Sequence, residues 1–199
     1  MGGSRGAGFM IMRIRIIRRR TSFSRGFAQI DTNFFAGLSN VGYYVTGFIV
    51  AREGSRRVLE AHSSLGAVPL EQGLVLPLTQ EIVDSIVTAN QFEPLPQFQY
   101  LNESLSAFLA KISLLCPVLY FATEYFRGMG AQTAMVFEKG NVVFGPRTHS
   151  TDDGQSDLTP VSEALQVLGV KKPPHHFDEF DCVGLGRYRD HEDWLSSIP

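Results

Sequence analysis

Val118-Leu-Tyr-Phe-Ala-Thr-Glu-Tyr-Phe126, followed by Thr133-Ala-Met-Val-Phe-Glu138, Lys139-Gly140 and Asn141-Val-Val-Phe144, is the stretch whose reading decides the fold. Aromatic and β-branched side chains pack well on a pleated, buried surface, so the first segment reads as a strand. The next two apolar runs flank a two-residue turn that ends in glycine, which is the pattern of a β-hairpin. Gly145-Pro146 is expected to stop it, because proline cannot donate to a ladder.

Toward the N-terminus, Gly42-Tyr-Tyr-Val-Thr-Gly-Phe-Ile-Val50 has the same texture and reads as a buried strand, with Arg52-Glu-Gly-Ser55 as the turn after it. Ser55 to His62 suits a short helix or a second strand equally. Gln72-Gly-Leu-Val-Leu-Pro-Leu78 reads as a short strand ended by Pro77. Thr79 is placed to cap a helix running to about Asn90, with Glu81 and Asp84 near its positive end and Ile82, Ile86 and Ala89 on its buried face. Pro94 and Pro96 break the chain. A second helix is expected from about Asn102 to Leu115, since Leu105, Phe108, Leu109 and Ile112 recur at helical spacing.

Toward the C-terminus, a polar stretch from Arg147 to Asp157 leads to Thr159-Pro160, a cap followed by proline at the first helical position; Gly169 ends that helix. Lys171 to His176 reads as a loop, and Phe177 to Leu185 as a closing helix or strand. The fold class is therefore α+β: a largely antiparallel sheet with about three helices packed on it, forming a single domain over residues 41–199.

Charge divides the chain in two. Seven of the eighteen Lys and Arg residues fall in the first thirty positions, which hold no acid, leaving eleven against the twenty Asp and Glu in the rest. An acidic body repels phosphate backbones, which argues against nucleic acid as its partner. The two cysteines, Cys116 and Cys182, lack metal-type spacing and point to a reducing, cytoplasmic setting. The apolar runs Tyr43 to Ala51 and Leu114 to Ala122 are shorter than the roughly 20 residues of a membrane helix, so no membrane partner is expected. Residues 1–40, with Met10-Ile-Met-Arg-Ile-Arg-Ile-Ile-Arg-Arg-Arg20 at their centre, read as a disordered basic arm outside the folded domain. Three origins stay open for the arm: sequence upstream of the true start, a mitochondrial transit peptide, or a basic segment that binds an acidic surface or membrane.

Three segments merit weighing for chemistry. In Thr123-Glu-Tyr-Phe-Arg-Gly-Met-Gly-Ala-Gln132, two glycines join two strands; a phosphate loop needs a helix after its glycines, so the expectation is a tight loop hydrogen-bonded by Gln132. His149, His175, His176 and Asp178 offer metal-type ligands, but their spacing matches no strong signature and solvated loop residues are the ordinary outcome. No Gly-x-Ser-x-Gly elbow accompanies the serines, and Cys116, between an apolar helix and Pro117, reads as a buried inert thiol. Trp194, in the charged run Arg187 to Trp194, either ties the tail to the body or anchors a partner.

Glu124-Tyr-Phe-Arg-Gly-Met-Gly-Ala-Gln132, Val142-Val-Phe-Gly-Pro146, Glu163-Ala-Leu-Gln-Val-Leu-Gly-Val170, Asp178-Glu-Phe-Asp-Cys-Val-Gly-Leu185 and Trp194 together resemble a loose group of small, mostly uncharacterised bacterial proteins, over residues 42–199. Arg127 stands where that pattern has glycine. Some of the group are similar to immunity proteins that neutralise toxins, and the resemblance carries no catalytic residue and no cofactor. It therefore implies a fold and a lifestyle, not a mechanism; the function expected of the chain is that of a non-catalytic, protein-binding domain. An acidic surface suits a basic partner such as a toxin, and the residues expected to edge it are Glu124, Tyr125, Arg127, Asp152, Asp153 and Asp157, with Trp194 as a further contact. The alternative is a metal-dependent hydrolase using His149, His175, His176 and nearby carboxylates such as Asp178.

Overall fold

The computed structural model describes residues 42–62, 65–86, 95, 98, 101–127, 129–154, 156 and 158–198. The readings made for residues 1–40, for the helix end near Asn90 and for Asp157 lie outside them. Strands β1 (Gly42–Ala51), β2 (Val68–Leu70), β3 (Gly73–Pro77), β4 (Val118–Phe126), β5 (Met129–Glu138) and β6 (Asn141–Ser150) form one sheet in the order β2-β3-β1-β4-β5-β6. Every pairing is antiparallel. Among the described residues there are six α-helices: α1 (Arg52–Ala61), α2 (Gln80–Ile86), α3 (Glu103–Ile112), α4 (Pro160–Val167), α5 (Glu179–Val183) and α6 (His191–Ser196). The expected α+β architecture is present, with helices on both faces of the sheet.

Alternation along the central strands creates two cores. Phe48 and Val50 of β1, Val118 and Tyr120 of β4, and Met135 and Phe137 of β5 meet Val58 of α1, Val83 of α2, and Leu105, Leu109 and Ile112 of α3. The intervening residues Val45, Ile49, Leu119, Phe121, Ala134 and Val136 face the other way, onto Val161, Ala164 and Leu165 of α4, Cys182 and Val183 of α5, and Trp194. Strands buried on both faces read as continuous apolar runs, which is why Val118–Phe121 shows no polar alternation.

Capping fixes where the helices begin. The Asn102 side chain accepts from the Leu105 N–H at 2.8 Å, Thr159 from Ser162 at 3.3 Å, Asp178 from Asp181 and Asp190 from Asp193. Thr79 accepts from Ile82, as expected of its position before α2. The segment left open over Ser55 to His62 is helical, and so is the core of Phe177 to Leu185. Arg52–Ser55, expected as a turn, is the first turn of α1.

One boundary is corrected. The hairpin does not stop at Gly145-Pro146, because β6 continues to Ser150 with Thr148 opposite Thr133 and His149 opposite Gln132. Among the described residues β6 pairs on one side only, and the register shifts between Ala134 and Phe137, so Pro146 lies on an edge beside an irregularity, where a missing donor costs no ladder bond.

Candidate partner-binding surface

The connection from β4 to β5 lies at one end of the sheet. Tyr125 stands opposite Gly130 and Phe126 opposite Met129, while Glu124 pairs with Ala131, which pairs in turn with Ser150. Neighbouring strands are roughly 4.8 Å apart, so these registers bring the end of β6 within two strand spacings of Glu124. Gly130 permits the close approach: a Cβ there would lie 1.9 Å from the Glu124 carbonyl oxygen. Arg127 adopts a left-handed φ of 53°, and its guanidinium lies over the Phe126 ring, 5.2 Å from the centroid. Phe126 is 40% and Met129 63% exposed.

The turn that follows β6 is tied to this end. The Gly130 N–H donates to the Thr151 hydroxyl at 3.2 Å, Ser150 accepts from the Asp152 N–H, and the Ser150 N–H donates to Asp153 Oδ2 at 2.8 Å. These bonds form a capping box over Thr151–Asp153 and hold Asp152 and Asp153 exposed at the rim. Four of the expected residues, Glu124, Arg127, Asp152 and Asp153, therefore share one end of the sheet and are exposed. Tyr125 is half-buried and projects to the opposite face of β4, where burial pushes its phenol above its ordinary range and a hydrogen bond with Gln132 opposes that shift. Gln132 itself is buried and accepts from the Val161 N–H, so it joins β5 to the start of α4 as well as contacting Tyr125.

Trp194 is corrected outright as a surface contact. It is fully buried in the second core, edge-on to Tyr188 at 4.9 Å, so it holds α6 down and offers no exposed side chain at the surface. Sequence reasoning missed Phe126 and Met129. Their apolar character signals a strand interior, and only the register shows that they form the last pair of the β4–β5 ladder.

The metal-type ligands do not converge. His149 lies on β6, 4.0 Å from Asp153; His176 holds Asp181 at 2.9 Å; the His175 ring lies tilted against His176, centroids 4.3 Å apart; and Asp178 is engaged as the α5 cap. The hydrogen bond from His176, followed by that from the Phe177 N–H, keeps the Asp181 carboxyl below the usual carboxylate range. Among the described residues no group of three His, Cys, Asp or Glu side chains could hold a metal ion. Cys116 is buried against Gly54, and burial pushes its thiol up to about 11, the protonated and unreactive condition. Cys182, also buried, contacts the Gln72 amide at 3.2 Å. Among the described residues no helix is long and apolar enough to cross a membrane. Compared with known protein families, curated proteins and solved structures, the chain matches none.

Proposed function

We propose that the protein acts without catalysis, by binding another protein at the β4–β5 end of the sheet, and that the partner is basic. The observation that carries this reading is the exposed group Phe126, Arg127 and Met129, stacked and paired in a fixed geometry and edged by Glu124, Asp152 and Asp153. Aromatic, Met and Arg side chains are the types enriched in interface cores, while carboxylates suit the rim. Rim charge speeds encounter with a partner of opposite sign, and the buried anchors supply most of the affinity. A basic toxin held by an immunity protein in a bacterial conflict system is the partner class this charge pattern fits.

The test is affinity capture from the source cell extract, run in parallel with the wild-type chain and with Phe126→Ser/Met129→Ser. A protein retained by the wild type, released at raised salt, and lost with the double variant while its unfolding midpoint holds, is the expected result. Loss of two anchors worth about 1–2 kcal/mol each lowers affinity by roughly 30- to 1,000-fold. Identical retention by the two chains would overturn the reading.

A further inference from the structure

Oxidisable side chains are unevenly placed in this protein. Two of its five methionines, Met129 and Met135, lie among the described residues, and both belong to β5. An even number of positions apart, they project to the same face of that strand. Met135 packs in the first core and is 7% exposed, whereas Met129, at the start of the strand, is 63% exposed. The other oxidisable groups are shut away. Cys116 and Cys182 are buried, the Cys116 thiol is held in its protonated form, and Trp194 is fully buried. A thioether, unlike a thiol, needs no ionisation before it reacts, so accessibility decides which methionine an oxidant meets. Among the described residues, Met129 is therefore the sulfur that a small oxidant in water reaches first.

The position of that sulfur gives its oxidation a consequence. Met129 stands directly opposite Phe126 in the last pair of the β4–β5 ladder, and the Arg127 guanidinium lies over the same ring. Directly opposed residues have Cβ atoms about 5 Å apart, so thioether and ring present one continuous apolar contact. A sulfoxide in its place is polar and chiral, and its oxygen accepts hydrogen bonds. Covered by a partner without a donor to meet it, that oxygen loses its water and gains nothing in return. The backbone cannot turn the modified side chain away. The next residue, Gly130, is packed against the Glu124 carbonyl and its N–H is bonded to Thr151, so Met129 stays fixed on the surface in either oxidation state.

We propose that Met129 is a modification site, at which a peroxide converts the thioether to the sulfoxide in the folded chain, and that this step releases the bound partner. This rests on the binding role proposed for the same surface and adds a means of regulating it. In the reaction a sulfur lone pair attacks one peroxide oxygen, the S–O bond forms as the O–O bond breaks, and the departing hydroxide takes up the proton of the transferred oxygen and leaves as water. Sulfur gives up two electrons and the peroxide gains them. A methionine sulfoxide reductase, supplied with two electrons by a dithiol, removes the oxygen as water and restores the apolar contact.

The full chain is treated with hydrogen peroxide, and both the chemistry and the binding are followed. Trypsin releases residues 128–139, which hold both methionines of β5, and fragment masses place the oxygen within that peptide. One oxygen on Met129 is expected, with Met135 and both cysteines unmodified and the urea midpoint unchanged. The protein captured by the untreated chain is expected to bind the oxidised chain about tenfold more weakly, and to regain its affinity after reductase and dithiol. Met129→Leu, whatever its own affinity, is expected to bind equally before and after peroxide. Oxidation of Met135 as fast as Met129, equal affinity of the oxidised and untreated wild type, or a Met129→Leu chain that still releases the partner on treatment overturns this proposal and leaves the binding role standing. An untreated chain that retains no protein beyond what Phe126→Ser/Met129→Ser retains overturns the binding role, and the regulated release falls with it.

Discussion

At Gly130 a single hydrogen decides whether β4 and β5 can close. The Cβ of an alanine there would stand 1.9 Å from the Glu124 carbonyl oxygen and 2.7 Å from the Tyr125 Cα, and both obstacles are backbone. No rotamer change relieves them, so the ladder itself must move. We expect Gly130→Ala to cost about 3 kcal/mol, read as a fall in the urea midpoint, because overpacking against fixed atoms lies at the upper end of such effects. His191 is decisive in a different way. Its Nε2 lies 2.9 Å from both the Thr46 nitrogen and the Thr46 carbonyl oxygen, accepting from the one or donating to the other according to its tautomer, and the Arg189 carbonyl accepts the Tyr44 N–H, so the C-terminal segment occupies the edge of β1 beyond the last β3 pair, Gly47 with Pro77. Burial holds the imidazole pKa below its ordinary range, opposed by donation from the protonated ring to the Thr46 carbonyl and by the Asp190 charge. The neutral ring is thus favoured in the folded state, and the unfolded state binds more protons as pH drops. This contribution is complete above about pH 6.5 and is lost as pH falls through the lower folded value. Between about pH 7.5 and 5.5, we expect wild-type stability to fall more steeply than that of His191→Gln. Equal slopes in urea titrations would remove His191 from this role.

Among the elements, α4 starts where its sequence says it should. Thr159 caps it and Pro160 occupies its first position, both local signals that need no tertiary information. Replacing that cap by Thr159→Ala is expected to cost about 1 kcal/mol, measurable as a lowered melting temperature. Strand β4 was equally legible, because burial on both faces leaves an uninterrupted apolar run. What was not legible depends on distant parts of the chain. Pro146 ends a central strand but is tolerated on an edge, and nothing local says which kind β6 is. On an edge it also discourages pairing with a foreign strand. Helices α5 and α6, of five and six residues, are too short to display a periodicity. The binding surface divides in the same way. Glu124, Arg127, Asp152 and Asp153 could be picked out by charge, and the β4–β5–β6 register then gathers them. Phe126 and Met129 needed the ladder's end point, and the burial of Trp194 needed the packing of α6 onto the second core.

For the molecule as a whole, the question is whether the two cores melt together. They share β1, β4 and β5, whose alternate residues serve opposite faces: Phe48 and Val50 the first core, Val45 and Ile49 the second. Stripping the α4–α6 layer would expose Leu119, Phe121 and Val136, all of which are at most 1% accessible in the folded chain. Each exposed side chain costs roughly 1.5–3 kcal/mol, so three alone approach the 5–15 kcal/mol by which a typical domain is stable. Loss of either layer therefore removes the stability of the remainder, and unfolding is cooperative. The chain contains one tryptophan, and it lies in the second core against Tyr188, so its emission reports on that layer. Far-ultraviolet circular dichroism follows the helices of both layers. We expect the two signals to give coincident urea midpoints and a red shift of Trp194 emission in a single transition. A fluorescence transition at clearly lower urea than the dichroism transition would show that α4–α6 detach while the sheet and α1–α3 remain folded, and that the shared strands do not couple the two faces.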